Sequence, residues 1–122
     1  MTPPDHTPSI IHAIRILHKD LYCISNKLSK RDKLGIHTTV ESLCLEMLML
    51  AIESAFKSTQ SKKVPLETLR IKTEILKHLI RTERELVLIE EKTYLRLEEE
   101  LIKISKMTNG WIAFVMQKEL PK

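Results

Sequence analysis

Glycine is nearly absent from this sequence, with two residues in 122. Proline is scarce inside the chain: of five, Pro3, Pro4, Pro8 and Pro121 lie near the ends and only Pro65 lies between. With so few breakers, long helices are expected, and a turn-rich all-β architecture is excluded. The two cysteines, Cys23 and Cys44, form neither a CxxC pair nor a disulfide framework. That points to a reducing, cytoplasmic setting, with both thiols as small apolar fillers. No apolar run approaches membrane-spanning length. Residues 1–9 lack the cationic start and apolar stretch of a signal peptide. Aromatics are 4% of the chain, so no stacking platform for single strands is expected. No glycine-rich phosphate loop, GxSxG or HExxH occurs. Di-iron bundles need Glu-x-x-His on two helices, and the nearest match is one i,i+4 pair, Glu74 with His78. The expectation is a chain with no catalytic role, metal, cofactor, small-molecule substrate or membrane partner.

What is present is helical periodicity. The chain is 43% hydrophobic and 30% charged, which suits one folded domain. Residues 1–9 read as a polar tail, residues 10–118 as the domain, and residues 119–122 as a second tail. A first helix runs from about Ile10 to Leu28 after Ser9 as N-cap, with Ile10, Ile14, Leu17, Leu21, Ile24 and Leu28 as its seam. Ser29 to His37 reads as a cationic loop. A second helix runs from about Thr38 to Lys57, capped by Thr38 or Thr39. It has two apolar faces: Val40, Leu43, Met47 and Leu50 make one; Cys44, Leu48, Ile52 and Phe56, beside Leu45 and Met49, make the other. Such a helix is covered on more than one side, either by another subunit or as an enclosed central helix. A third helix runs from about Pro65 to Leu86, with Pro65 in its first turn. A fourth runs from about Glu90 to Lys118, with weak helix sequence at Asn109-Gly110. Four helices and short loops predict an all-α, antiparallel up-down-up-down bundle.

The surface that remains is basic, at a net charge of +4. Arg70, Lys77, Arg81 and Arg84 recur at offsets of 7, 11 and 14 residues, which return to nearly one helix face. Lys30, Arg31 and Lys33 form a second cluster. Such arrays bind phosphate backbones without base readout, although a plain solvated face has the same pattern. Glu98-Glu99-Glu100 reads as a solvated run or as pairs with Arg96 and Lys103.

Three stretches carry a family resemblance. The segment Leu28-Ser-Lys-Arg-Asp-Lys-Leu-Gly-Ile-His-Thr-Thr-Val-Glu-Ser-Leu-Cys-Leu45 resembles an LPKRERYGLGERIERLAL signature. Leu76-Lys-His-Leu-Ile-Arg81 resembles LRFLLR, and the stretch from Ile104 to Ile112 resembles IGRMLGGWI. These belong to small four-helix bundle proteins that include the accessory variability determinant (Avd) of diversity-generating retroelements and proteins of 23S rRNA intervening sequences. The chain lacks the SNIAEG stretch of the second branch and has Leu50-Ala-Ile-Glu-Ser-Ala-Phe56 instead, closer to the Avd branch. The resemblance implies a non-catalytic homopentameric ring that binds RNA or DNA and a reverse transcriptase. It places the family's two LRFLLR arginines on Lys77 and Arg81, and makes Gly35, Gly110 and Trp111 structural motif positions. It also replaces a family arginine by Thr39 and a family glycine by His37. The alternative is a bundle that acts as a protein-interaction module without nucleic acid.

Overall fold

The structure, a computed structural model, describes residues 6–119. Four long helices carry the fold: α1 (His6–Ser25), α3 (Ile36–Phe56), α4 (Lys63–Glu85) and α5 (Glu91–Glu119). A five-residue helix, α2 (Lys30–Leu34), links α1 to α3, and a 3₁₀ turn at Thr59–Ser61 precedes α4. Each long helix packs on the next, and α1 closes the bundle against α5. The expected antiparallel four-helix bundle is what forms, with no strand among the described residues.

The periodicities explain the packing. Ile10, Ile14, Leu17, Leu21 and Ile24 of α1 meet Leu66, Leu69, Leu76 and Ile80 of α4 and Leu97, Leu101, Ile104, Trp111 and Val115 of α5 in one core. Removing a large side chain from such a core costs about 2–5 kcal/mol. The residues of α4 that face inward recur every three or four positions, which makes α4 the most sharply two-sided helix.

Several boundaries differ from the sequence reading. Ser9 lies inside α1 and is not its cap, while residues 1–5 and 120–122 of the expected tails fall outside the described residues. The segment read as a loop from Ser29 folds into α2 because Ser29 caps it. The Ser29 Oγ accepts from the Asp32 amide at 3.3 Å and donates to Asp32 Oδ2 at 3.0 Å. Gly35 then joins α2 to α3 with φ −92° and ψ −117°. A Cβ there would stand 2.8 Å from the Arg31 carbonyl oxygen, so the position requires glycine. Helix α3 starts at Ile36, so neither Thr38 nor Thr39 is its cap.

The other connections are equally local in origin. Pro65 sits in the first turn of α4, where its missing N–H is harmless. The Lys62 Nζ donates to the Ser54 carbonyl at 2.6 Å, satisfying a carbonyl near the C-terminus of α3. The same ammonium lies 5.8 Å from the Trp111 ring centroid. Helix α4 ends in a Schellman turn: Val87 N–H donates to Arg84 O and Leu88 N–H to Glu83 O, both at 2.9 Å. Val87 holds the left-handed position at φ 61°, where glycine is favoured. Helix α5 runs unbroken through Asn109-Gly110.

Candidate nucleic-acid interface

The basic row is built by α4. Its core stripe points one way, and Arg70, Lys77, Arg81 and Arg84 lie roughly a quarter-turn round the helix, spread over about 21 Å. That edge faces α5. The Arg84 guanidinium sits 4.5 Å from the Tyr94 ring centroid and 3.6 Å from Glu91. The row therefore shares an edge, as the spacing predicts.

The row's cations differ in how free they are. The Arg70 Nε donates to Glu67 Oε1 at 3.0 Å, and Lys77 Nζ to Glu74 Oε2 at 2.9 Å. Arg84 pairs with Glu91 across the turn. Arg81 is exposed and lacks a carboxylate within ion-pair distance among the described residues, and hydrogen bonding to Tyr94 holds its guanidinium still more firmly protonated. Exposed pairs of this kind are worth about 0–1 kcal/mol, so phosphate displaces a glutamate from Arg70 at little cost. They nonetheless lower the net charge that an approaching polyanion meets.

Lys30, Arg31 and Lys33 stand exposed on α2. Arg31 lies 3.5 Å from Asp32, while Lys30 and Lys33 have no ion-pair partner among the described residues. The beginning of α3 meets the ends of α1 and α4 through His37, so α2 and Arg81–Arg84 occupy the same end of the bundle. Lys77 and Arg70 lie progressively further away along α4. A cleft of about 320 Å³ opens at that end between α1 and the α4–α5 turn, lined in part by Asp20, Cys23, Lys27, Thr93 and Arg96.

That end is organised by a pair the sequence reading missed. His37 is fully buried, as is the Glu83 side chain. The His37 Nε2 donates to the Leu21 carbonyl at 2.8 Å, and Nδ1 donates to Glu83 Oε2 at 2.7 Å. A carbonyl only accepts, so Nε2 carries a proton, and in the imidazolium Nδ1 carries the other. Burial pulls the His37 pKa down. The hydrogen bonds to Glu83 and Leu21, with the charges of Glu83 and Glu41, outweigh that, and the net shift is upward. The imidazolium also sits at the C-terminal end of α1, where the helix dipole favours a cation. The signal was present: His37 continues the α3 seam of Val40, Cys44 and Met47, and Glu83 continues that of Leu76 and Ile80.

The Glu98–Glu100 run carries the expected pairing of Glu100 with Arg96 and adds a second carboxyl contact. Glu100 is half-buried beside Asp20 of α1, with Arg96 Nε 3.7 Å from Asp20 and 4.0 Å from Glu100. Burial, then hydrogen bonding to Asp20 and its charge, push the Glu100 carboxyl up to about 8. Its Oε1 is buried with no partner.

The second face of α3 divides. Cys44 is fully buried within this chain, its Sγ 3.8 Å from the Ile14 carbonyl, so it is a core residue and no part of an outward face. Burial, then the charges of Glu100 and Glu41, push its thiol up to about 12, which makes it unreactive. Leu48 is partly buried, whereas Ile52 and Phe56 are exposed beside Leu45 and Met49. Of the three motif positions, Gly35 and Trp111 have structural reasons. Gly110 has none, since a Cβ there would meet nothing within 4 Å.

No family model, curated protein or solved structure matches this chain. Fold and surface define it as an all-α four-helix bundle with a cation-rich end. Among the described residues no three His, Cys, Asp or Glu side chains converge as a metal site, and no helix is long and apolar enough to cross a membrane.

Proposed function

We propose that the protein is a non-catalytic, Avd-like accessory subunit of the cytoplasm. In this reading it assembles with copies of itself through the outward face of α3, as a ring of the pentameric kind that the resemblance implies. It presents its cationic end to RNA or DNA and to a reverse transcriptase. The observation that carries the reading is the set of cations at one end: exposed Lys30, Arg31 and Lys33 on α2, with Arg81 nearby on α4. Phosphate contacts of this kind release counterions, so affinity falls steeply with salt.

Filter binding across a salt series tests it. A variant with Lys30, Lys33 and Arg81 changed to alanine is expected to bind more weakly and with a shallower salt slope, by about 0.7–0.9 for each phosphate no longer neutralised. A variant changed at Arg70 and Lys77 is expected to lose less, because Glu67 and Glu74 already occupy those cations. Equal affinity and slope for wild type and the triple variant would remove the nucleic-acid assignment.

The same ion pairs favour a second reading. If Glu67, Glu74 and Glu91 hold Arg70, Lys77 and Arg84 permanently, the bundle is a protein-interaction module without a nucleic-acid ligand. Wild-type protein that shows no salt-dependent retention of RNA or DNA would select it.

A further inference from the structure

Two apolar seams face outward, one on each of two neighbouring helices. On α3, Thr38, Ser42, Leu45, Met49, Ile52 and Phe56 follow alternating steps of four and three residues. On α4, Val64, Thr68, Ile71, Ile75, Leu79, Thr82 and Leu86 follow a similar rhythm along its outer side, with Leu86 just past the helix end. That rhythm is the one by which helices pack side by side. The large apolar residues of the first seam, Leu45 to Phe56, are between 39% and 86% exposed. Val64, Ile71, Ile75 and Leu86 of the second are between 45% and 74% exposed.

The threonines of the seams are already satisfied. The Thr68 hydroxyl donates to the Val64 carbonyl and the Thr82 hydroxyl to the His78 carbonyl, each at 3.0 Å. The Thr38 hydroxyl donates to the Lys33 carbonyl at 2.7 Å. Covering these threonines therefore strands no hydroxyl.

By helical geometry the seams point in different directions. The Lys72–Glu46 contact at 2.8 Å marks where α4 meets α3. On α3 the seam lies well away from that edge, toward the α1 side. On α4 it lies on the outer side, remote from the α5 edge that carries Arg81. Glu46 and Glu53 run between the seams, so one flat partner cannot cover both.

We infer that the outer seam of α4 is the docking surface for the outer seam of α3 of a second copy, in head-to-tail order. The inference rests on the self-assembly reading above and adds which surface receives the α3 face. Each seam offers roughly 400 Å² of apolar surface, taking a large buried side chain at about 150–250 Å². One partner contributes about 800 Å² to a standard interface, of which a little over half is apolar, so one seam comes close to that apolar share. A twofold dimer through α3 alone leaves the α4 seam in water. Head-to-tail packing uses both seams of every copy, and closure into a ring leaves neither exposed. The cationic edge of α4 stays free.

Light scattering of the full chain and two single variants, Met49→Glu and Ile75→Glu, tests this. Both positions are exposed, so the monomer fold is expected to persist, and circular dichroism verifies that it does. Each variant alone is expected at the 14.2 kDa monomer mass. A mixture of the two retains one intact seam pair per dimer, so its mass is expected to double. Assembly that survives Ile75→Glu overturns the inference while leaving the α3 reading in place. A mixture that stays monomeric also overturns it. Wild-type protein that is itself monomeric removes the assembly reading and this inference together.

Discussion

Replacing His37 with leucine is expected to destabilise the fold by about 3–5 kcal/mol, the range for stranding one member of a buried charge pair. The structure gives the reason. Glu83 is fully buried, and its Oε1 already lacks a partner. Without His37 its Oε2 loses the 2.7 Å bond as well, and a carboxyl group is left wholly unsatisfied in the core. Glu83→Gln is milder, at about 1–2 kcal/mol, because the amide oxygen still accepts from Nδ1. The double variant His37→Leu/Glu83→Leu removes both groups and is expected within about 1 kcal/mol of wild type. Urea unfolding followed by circular dichroism measures all of these, and the cycle yields the coupling energy.

The pH dependence has a definite sign. The folded pKa of His37 lies above its ordinary value of 6.5. Its contribution is therefore fully present below 6.5 and lost as pH rises through the raised folded value. Wild-type stability should decline on the alkaline side, and the double variant should decline less steeply, keeping only the part due to Glu100. A His37→Leu variant within about 1 kcal/mol of wild type, or single effects that simply add in the double, would refute the reasoning.

Three further outcomes are expected. Gly35→Ala should lower stability by about 1–3 kcal/mol because its Cβ meets a backbone carbonyl, whereas Gly110→Ala should raise it by about 0.5–1 kcal/mol in an open helical position; thermal unfolding of the pair checks both signs. Val87→Gly should raise the melting temperature by relieving a left-handed β-branched residue, a gain of about 1 kcal/mol. Glu100 is raised from 4.5 to about 8, so its ionisation opposes folding and stability should fall as pH climbs through that window. Glu100→Gln should flatten that fall, by on the order of 1–2 kcal/mol after allowance for partial solvent access, in urea midpoints taken across the window.

The four helices are legible in the sequence because each repeats its apolar residues with the helical period over five or more turns. The pairing of Arg70 with Glu67 and of Lys77 with Glu74 is also within reach, since residues three apart are neighbours on a helix. What local pattern cannot supply is the partner across the bundle. His37 reads as loop because Gly35 lies two residues before it, yet it is buried against Glu83, 46 residues away in sequence. Asp20 and Glu100 meet for the same long-range reason. Cys44 reads as part of the outward face because its spacing to Leu48, Ile52 and Phe56 fits. Its spacing to Val40, Met47 and Ala51 fits equally well, and the packing of α1 decides between them. Helix α2 is hidden by its length, which is too short for a periodic signal.

The central claim is that this bundle works as an assembly of its own copies. Its most direct test is the mass of the wild-type chain in solution, measured by light scattering over a concentration series. The expected result is a discrete multiple of 14.2 kDa that collapses to one copy with Met49→Glu. A single copy at every concentration would contradict it.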